Sequence, residues 1–195
     1  MTYADDKFWE AYEEFVVESL PRHREVLKGW TQFYSLPFDA LVDLGCGRTK
    51  EALRLFQPKH YLGLDLSPTL DDNVMMTDYR NPDLPVLLNS YKPTCFSSLF
   101  SVEITKPFTD NYELYERLFQ EVPSLDFGIV AGFYYEKRKG QLTVQETGGL
   151  TSYQSIEAQE IVNSDSFYET RTYVKAPSKL FGLDVVEVWK LFRRK

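Results

Sequence analysis

The sequence predicts an α/β fold built on a mostly parallel sheet with crossover helices. After Pro37, short apolar runs that end in Gly, Asp or Ser alternate with mixed segments, as strands and their connections do. The last two runs differ, because residues 167–174 (FYETRTYV) and 184–192 (DVVEVWKLF) alternate with the period of two that antiparallel neighbours show. We therefore expect parallel strands first and an antiparallel hairpin at the C-terminus.

Length and charge restrict the organisation and the partners. At 195 residues the chain can form one domain with a full-sized core, which leaves little for a second domain. The formal net charge of −7 disfavours nucleic acid as the main partner, because phosphate binding requires a positive surface. We interpret the basic residues 193–195 as a solvated tail.

Metal and membrane sites are not expected. Cys46 and Cys95 lack metal-ligand spacing, and His23 and His60 are the two histidines of the chain, so we predict no structural metal. The N-terminus lacks the layout of a signal peptide, and no apolar run approaches the ~20 residues that a membrane span needs. We therefore expect a cytoplasmic protein without membrane contact.

The first 38 residues predict a helical segment that precedes the first strand. Apolar side chains recur three or four residues apart over residues 8–20, and Pro21 suits the first residue of a second helix. Nine of these 38 residues are aromatic, so this N-terminal segment, residues 1–38, either packs on the sheet or covers a pocket. Residues 39–195 are then expected to form the α/β core.

Five parallel strands are predicted at residues 40–44, 61–64, 74–76, 94–99 and 127–133. A helix is predicted before the last of them. Asp110 and Glu113 form its capping box, and its apolar face is made by Tyr115, Leu118, Phe119 and Val122.

The C-terminal third predicts a different character. Residues 135–149 are polar and indicate a surface excursion with a hairpin turn at Lys139 and Gly140. Residues 155–165 indicate a short helix. The two final strands are expected to be joined by a loop that contains Pro177 and Gly182.

Two acidic residues end neighbouring apolar runs. Asp43 precedes the turn that contains Gly45 and Gly47, and Asp65 follows 22 residues after Asp43. The carboxyl ends of adjacent parallel strands face one crevice, so both carboxylates are expected to flank one ligand site. Glycine lets a backbone approach a ligand closely, and a carboxylate at Asp65 can accept hydrogen bonds from a ribose diol.

The spacing of the glycines departs from the dinucleotide fingerprint. G-x-G-x-x-G would place a third glycine at position 50, where the chain has Lys50. This disfavours a nicotinamide-linked oxidoreductase. The additional acid, Asp43, suits a ligand with a positively charged amino-acid tail.

Three motifs, VDLGCG (residues 42–47), YLGLDLSP (61–68) and MMTDYRN (75–81), together resemble the first three motifs of the class I S-adenosylmethionine-dependent methyltransferases. The resemblance extends from about residue 39 to the C-terminus. It implies a three-layer, Rossmann-like sandwich with a seven-stranded, mostly parallel sheet and a C-terminal antiparallel hairpin. It also implies S-adenosylmethionine as the cofactor and S-adenosylhomocysteine as the product.

The resemblance further implies a cofactor site in two parts. The loop against the methionine moiety would be made by Gly45, Cys46 and Gly47, with Asp43 ordering the loop or receiving the ammonium group, and with Ser97 and Ser98 beneath. The adenosine would contact Asp65 at the ribose, Leu66 beside the adenine, Asp78 at the adenine amino group, and the backbone amide of Tyr79.

Two features depart from the family pattern. Residues 47–50 (GRTK) lack the third glycine, and only 12 residues separate Asp65 from Asp78, which leaves room for a loop but hardly for a helix. We therefore expect a more open adenine side. The alternative for the glycines and their two acids is a tight strand-to-helix turn, and the alternative for Asp78 is a helix cap.

A strong catalytic motif is absent from the sequence, which suits methyl transfer because the cofactor supplies the leaving group. Glu103 and Tyr134 are the candidates near the reaction, with an exposed acid and edge packing as the alternatives. Tyr134 and Tyr135 could present an aromatic face to a sulfonium. The candidates for closing over the substrate are Tyr3, Trp9 and Tyr12. Cys46 is interpreted as a small residue that fills the turn, because no histidine is placed to activate it.

The D/N-P-P-Y signature of enzymes that methylate adenine or amide nitrogens is absent after the fourth predicted strand, where SSLF (residues 97–100) stands. We therefore expect methyl transfer to a small-molecule acceptor, with a protein side chain as the alternative acceptor and nucleic acid disfavoured. The second hypothesis is a catalytically inactive member that acts as a binding or interaction module.

Overall fold

The computed structural model describes residues 36–66, 71–79, 81–99, 112–135, 142–146, 149–153, 159–164, 168–180 and 183–195, and nine positions between residues 14 and 28. Those nine positions are helical on both sides of Pro21, in agreement with the predicted N-terminal helices. Within these ranges, none of the helices has the length and apolar character needed to cross a bilayer. The division into an N-terminal segment and a core stays a prediction.

Five strands and three helices make up the first part of the core. The strands are β1 (Ala40–Leu44), β2 (His60–Asp65), β3 (Val74–Met76), β4 (Cys95–Leu99) and β5 (Phe127–Tyr135). The helices are α1 (Glu51–Phe56), α2 (Leu84–Tyr91) and α3 (Tyr112–Glu121). Each strand lies within two residues of its predicted bounds, because short apolar runs between polar turns mark these strands in the sequence.

Three later strands, β8 (Gln159–Ser164), β9 (Tyr168–Leu180) and β10 (Leu183–Arg194), join this sheet. Its order is β3-β2-β1-β4-β5-β10-β9-β8. Strands β1 to β5 pair in parallel. The three later strands pair antiparallel: β10 pairs with β5 and β9, and β8 pairs with β9. The seven strands from β3 to β9 form the predicted mixed sheet with its closing hairpin, and β8 extends that sheet by one strand.

The predicted helix over residues 155–165 is wrong. Its second half is the strand β8, in which Ile161 lies opposite Thr172 and Asn163 lies opposite Thr170. The β-branched Ile161 and Val162 fit a pleated strand better than a helix. Pairing also covers an edge of β9 that would otherwise present unpaired backbone groups.

The predicted hairpin in the surface excursion forms later in the chain than expected. Strands β6 (Leu142–Glu146) and β7 (Gly149–Tyr153) pair with each other, and Glu146 lies opposite Gly149. This register leaves residues 147 and 148 between the strands. The predicted turn at Lys139 and Gly140 is therefore not the turn of this hairpin, and both residues lie outside the described residues.

Pro177 belongs to a strand rather than to the predicted loop. The register of β9 and β10 shifts, since Val185 lies opposite Ser178 whereas Glu187 lies opposite Lys175. Two residues of β9 therefore face Val186, which forms a β-bulge. The bulge accommodates proline in a strand, because proline has no backbone N–H to donate.

Apolar residues pack on both faces of the sheet. Val42 and Leu44 of β1 belong to the core on the α2 and α3 side, whereas Leu41 belongs to the core on the α1 side. The alternation follows from the two-residue period of a strand. Leu27 of the N-terminal segment is buried in the α1-side core. This packing is consistent with the predicted three layers.

Candidate functional site

The glycine loop, residues 45–50, connects β1 to α1 in a conformation that requires glycine. Gly45 has φ 69° and Gly47 has φ 56°, in the left-handed region that side chains disfavour. The backbone N–H groups of Gly45 and Cys46 donate to the Leu64 carbonyl of β2 at 2.7 and 3.2 Å. A Cβ placed on Gly47 would meet no atom within 4 Å, so the backbone there faces open space.

Asp65 is joined directly to the glycine loop. The Gly47 N–H donates to Asp65 Oδ2 at 2.8 Å, and Asp65 is half-buried at the end of β2. A carboxylate has about four acceptor positions, so this bond occupies one part of its capacity. The two acidic motifs, predicted to flank one site, therefore meet at the carboxyl edge of the sheet, with half-buried Leu66 next to them.

Asp43 lies beneath the loop and is only 2% exposed. The Ser97 hydroxyl donates to Asp43 Oδ1 at 2.8 Å, and the Tyr61 hydroxyl donates to Asp43 Oδ2 at 2.9 Å. Burial raises the pKa of Asp43 to about 7, against the opposing effect of the two hydroxyl donors. Of the two predicted roles, ordering the loop is the one that this geometry supports.

Cys46 is buried at the centre of the loop, and its thiol is hydrogen-bonded to the Tyr61 hydroxyl. Burial raises the pKa of the Cys46 thiol far above its ordinary range. A nucleophilic role is therefore disfavoured, in agreement with a residue that fills the turn. A Cβ on Gly63 would lie 2.7 Å from Cys46 Sγ, so the thiol occupies the space that a side chain at position 63 would need.

Tyr61 and Gly63 are site residues that sequence reasoning missed. Both lie on the same face of β2, and Gly63 is level with Asp43 in the parallel register. The signal in the sequence was the two-residue period of a strand, which places Tyr61 on the same face of β2 as Gly63. To use that signal, one must also know that β2 lies beside β1, so that this face of β2 is level with Asp43.

Ser97 and Ser98 point to opposite faces of β4. The Ser97 hydroxyl bonds Asp43, whereas the Ser98 hydroxyl donates to the Leu44 carbonyl at 2.9 Å. Both residues are fully buried. Ser97 thus belongs to the polar network under the glycine loop, and Ser98 fixes the end of β1 against β4.

Asp78 and Tyr79 follow β3 close to the end of β2. The Thr77 N–H donates to the Asp65 carbonyl at 2.9 Å, which brings the half-buried Asp78 beside the same edge of the sheet. The N-cap of α2 is Asp83, so Asp78 is not the cap of that helix. The Tyr79 side chain is buried in the core on the α2 and α3 side.

Four predicted contact residues lie outside the described residues: Glu103, Tyr3, Trp9 and Tyr12. Tyr134 lies near the end of β5 opposite Val186, and its side chain is outside the described part of the chain. Their predicted roles stay predictions.

A buried pair connects the N-terminal segment to α1. His23 Nδ1 is hydrogen-bonded to Glu51 Oε1 at 2.6 Å, and both residues are buried. The His23 ring packs edge-on against Trp189 at 5.6 Å between centroids. Glu51 is the first residue of α1, directly after the glycine loop. Sequence reasoning missed this pair because its members are 28 positions apart in the chain.

The residues at this edge fit a cofactor with an amino-acid tail and a ribose. Open space faces the backbone of Gly47, and the half-buried carboxylate of Asp65 lies beside it. Asp43 and Glu51 add acidic groups beneath the loop, which suits a cationic ligand group. The arrangement can bind and orient such a ligand through backbone and carboxylate contacts.

Neither a protein-family model nor a curated protein matches the chain. Among solved structures, the chain is similar to the sugar N-methyltransferase KedS8 from Streptoalloteichus sp ATCC 53650, with 11% sequence identity and a TM-score of 0.40. The similarity covers 99% of this chain and 76% of that chain. Because this similarity is low, we base the proposed function on the residues of the chain itself.

Proposed function

We propose that the protein is an S-adenosylmethionine-dependent methyltransferase that acts on a small-molecule acceptor. The observation that carries this proposal is the 2.8 Å hydrogen bond from Gly47 N–H to Asp65 Oδ2. It joins the glycine loop to the acid at the end of the next strand, where a ligand of an open α/β sheet binds. The same residues carry the resemblance of the sequence to class I methyltransferases.

In this proposal each part of the site has one task. The backbone of Gly45 and Gly47 lies along the methionine moiety, and Asp65 accepts hydrogen bonds from the ribose hydroxyls. When bound, S-adenosylmethionine supplies the methyl group and the leaving group, so the chain mainly aligns the reactants and excludes water. Asp78 is proposed to accept a hydrogen bond from the adenine amino group.

The acceptor is proposed to be a small molecule. The net charge of −7 disfavours a polyanionic acceptor, because a negatively charged protein repels the phosphate groups of that acceptor. Candidate acceptors carry an amine or a hydroxyl. The bound cofactor would supply the methyl group and leave as S-adenosylhomocysteine, and the proton of the acceptor would pass to solvent. Glu103 and Tyr134 stay the candidates for contacting the acceptor.

Thermal melting tests the cofactor assignment. S-adenosylmethionine and S-adenosylhomocysteine are expected to raise the melting temperature, because a ligand that binds the native state stabilises it by mass action. NAD is expected to leave it unchanged. Asp65→Ala is expected to abolish the shift, whereas Asp72→Ala, which changes an exposed acid outside the site, is expected to retain it.

The outcomes separate the hypotheses. No shift with either ligand at about 100 times a micromolar Kd contradicts the cofactor assignment, since about 2.7 kcal/mol of stabilisation is expected there. A shift without release of S-adenosylhomocysteine, measured over a panel of amines, alcohols and protein acceptors, favours a binding protein over an enzyme. Turnover with protein acceptors alone contradicts the small-molecule proposal.

A further inference from the structure

We propose that Tyr61 is a positioning residue of the cofactor loop: it connects Cys46 to the ionised form of Asp43, and protonation of Asp43 weakens cofactor binding. The inference rests on the proposed function for the identity of the ligand. It assigns a role to a tyrosine for which the resemblance of the sequence implies none.

The contacts form a continuous chain from the loop to the sheet. The Tyr61 hydroxyl donates to Asp43 Oδ2 at 2.9 Å and is also hydrogen-bonded to the Cys46 thiol. Since the hydroxyl has one proton, which Asp43 takes, it must accept from the S–H of Cys46. The central residue of the glycine loop is thus tied to β2 and, through Asp43, to β1.

Asp43 accepts two hydroxyl protons in this arrangement, one on each oxygen. Ser97 donates to Oδ1 and Tyr61 donates to Oδ2, which is the pattern of an ionised carboxylate. A protonated Asp43 must itself donate to one of the two hydroxyls. If it donates to Tyr61, the hydroxyl proton of Tyr61 turns toward the Cys46 thiol. The hydrogen bond between Tyr61 and the loop then reverses its direction.

Neighbouring charged and hydroxyl groups from several elements act on the pKa of Asp43. Glu51 of α1 and Asp65 of β2 both disfavour a negative charge on Asp43. Ser97 of β4 and Tyr61 of β2 favour it through their hydroxyls. Beyond them, His23 is hydrogen-bonded to Glu51, and Lys50 is paired with Asp71.

The sign of the effect follows from these contacts. Burial raises the pKa of Asp43 to about 7, so the ionised form is lost as the pH falls below neutrality. A ligand with an ammonium group, which S-adenosylmethionine and S-adenosylhomocysteine share, prefers the ionised site. We expect the Kd for the cofactor to rise about tenfold for each pH unit below the midpoint.

The experiment measures the Kd of S-adenosylhomocysteine by calorimetry between about pH 5 and about pH 9. Tyr61→Phe is expected to raise the midpoint by about one pH unit, because Asp43 loses one donor to its ionised form. It is also expected to weaken binding about threefold to tenfold above the midpoint, since Cys46 loses its tie.

Three further variants make the result specific. Ser97→Ala removes the other donor and is expected to raise the midpoint, because Ser97 acts on Asp43 from the opposite oxygen. Tyr91→Phe is the matched control, since this hydroxyl has no hydrogen-bond partner among the described residues and is not part of the network. Asp43→Asn is expected to abolish the pH dependence.

The outcomes distinguish this inference from the proposed function. An unchanged midpoint in both Tyr61→Phe and Ser97→Ala, or binding by the unmodified protein that does not vary with pH, contradicts the inference alone. Absence of binding at every pH contradicts the proposed function and the inference together. If Tyr61→Phe does not fold, as judged by its melting curve, Ser97→Ala and Asp43→Asn still decide the role of Asp43 ionisation.

Discussion

At the base of the glycine loop, the Cys46 side chain fills the space that a side chain at position 63 would need. Besides the thiol, a Cβ at position 63 would lie 3.1 Å from a methyl of Val74 and 3.2 Å from the Tyr61 hydroxyl. Real Cβ atoms do not approach a sulfur to 2.7 Å, so the loop must shift when position 63 gains a side chain. The absence of a side chain at Gly63 is therefore a packing requirement of the loop.

Gly63→Ala is expected to lower the free energy of unfolding by about 1–3 kcal/mol, as overpacking in a filled interior does. Cys46→Ala in the same chain is expected to recover part of that loss, because it removes the nearest atom. Urea denaturation of the two single variants and the double variant measures the coupling. Strictly additive losses would show that the two positions do not compete.

At the scale of elements, the N-terminal segment is anchored to the core by both apolar and polar contacts. Leu27 is 2% exposed in the α1-side core, and His23 is bonded to Glu51. Of the two sequence interpretations, packing on the sheet is therefore present at these positions. Covering a pocket stays a prediction, because the aromatic residues concerned lie outside the described residues.

Leu27→Ala is expected to cost about 2–4 kcal/mol, because it removes a buried leucine side chain and leaves a cavity. Val17→Ala is the control on the same segment, since Val17 is 46% exposed, and a change of at most about 0.5 kcal/mol is expected. Chemical denaturation measures both. Equal effects of the two variants would contradict docking of the segment through Leu27.

The elements also show which parts of the fold the sequence can predict. The central strands β1 and β4 are buried along almost their whole length, so continuous apolar runs mark them well. β8 carries a weaker pattern, and its pairing with β9 decided its conformation. Asp43, Gly47 and Asp65 were found because motif spacing is local, whereas Tyr61 and His23 act through contacts between distant parts of the chain.

At the scale of the whole molecule, Asp43 connects the site to overall stability. The pKa of Asp43 rises from 3.8 to about 7 on burial, so the folded state holds this proton more tightly than the unfolded state. The stabilisation is fully present below about pH 4 and is lost as the pH rises through about 7. Ionised Asp43, which the proposed cofactor requires, therefore destabilises the ligand-free protein.

Asp43→Asn is expected to remove this pH-dependent loss of stability. The free energy of unfolding of the variant, relative to that of the unmodified protein, is therefore expected to rise from about pH 4 to about pH 8. Asp72→Asn, at an exposed acid, is expected to leave the slope unchanged. The free energy of unfolding as a function of pH measures both. Parallel curves for Asp43→Asn and the unmodified protein would show that Asp43 does not titrate in this range.

The shortness of β3 has a consequence for how the molecule meets other copies of itself. β3 is an edge strand of three residues, Val74–Met76, and Met76 is 66% exposed. An exposed apolar edge is a template for aggregation, but a strand of three residues offers few backbone groups to an incoming chain. The protein therefore restricts strand addition at this edge by keeping the strand short.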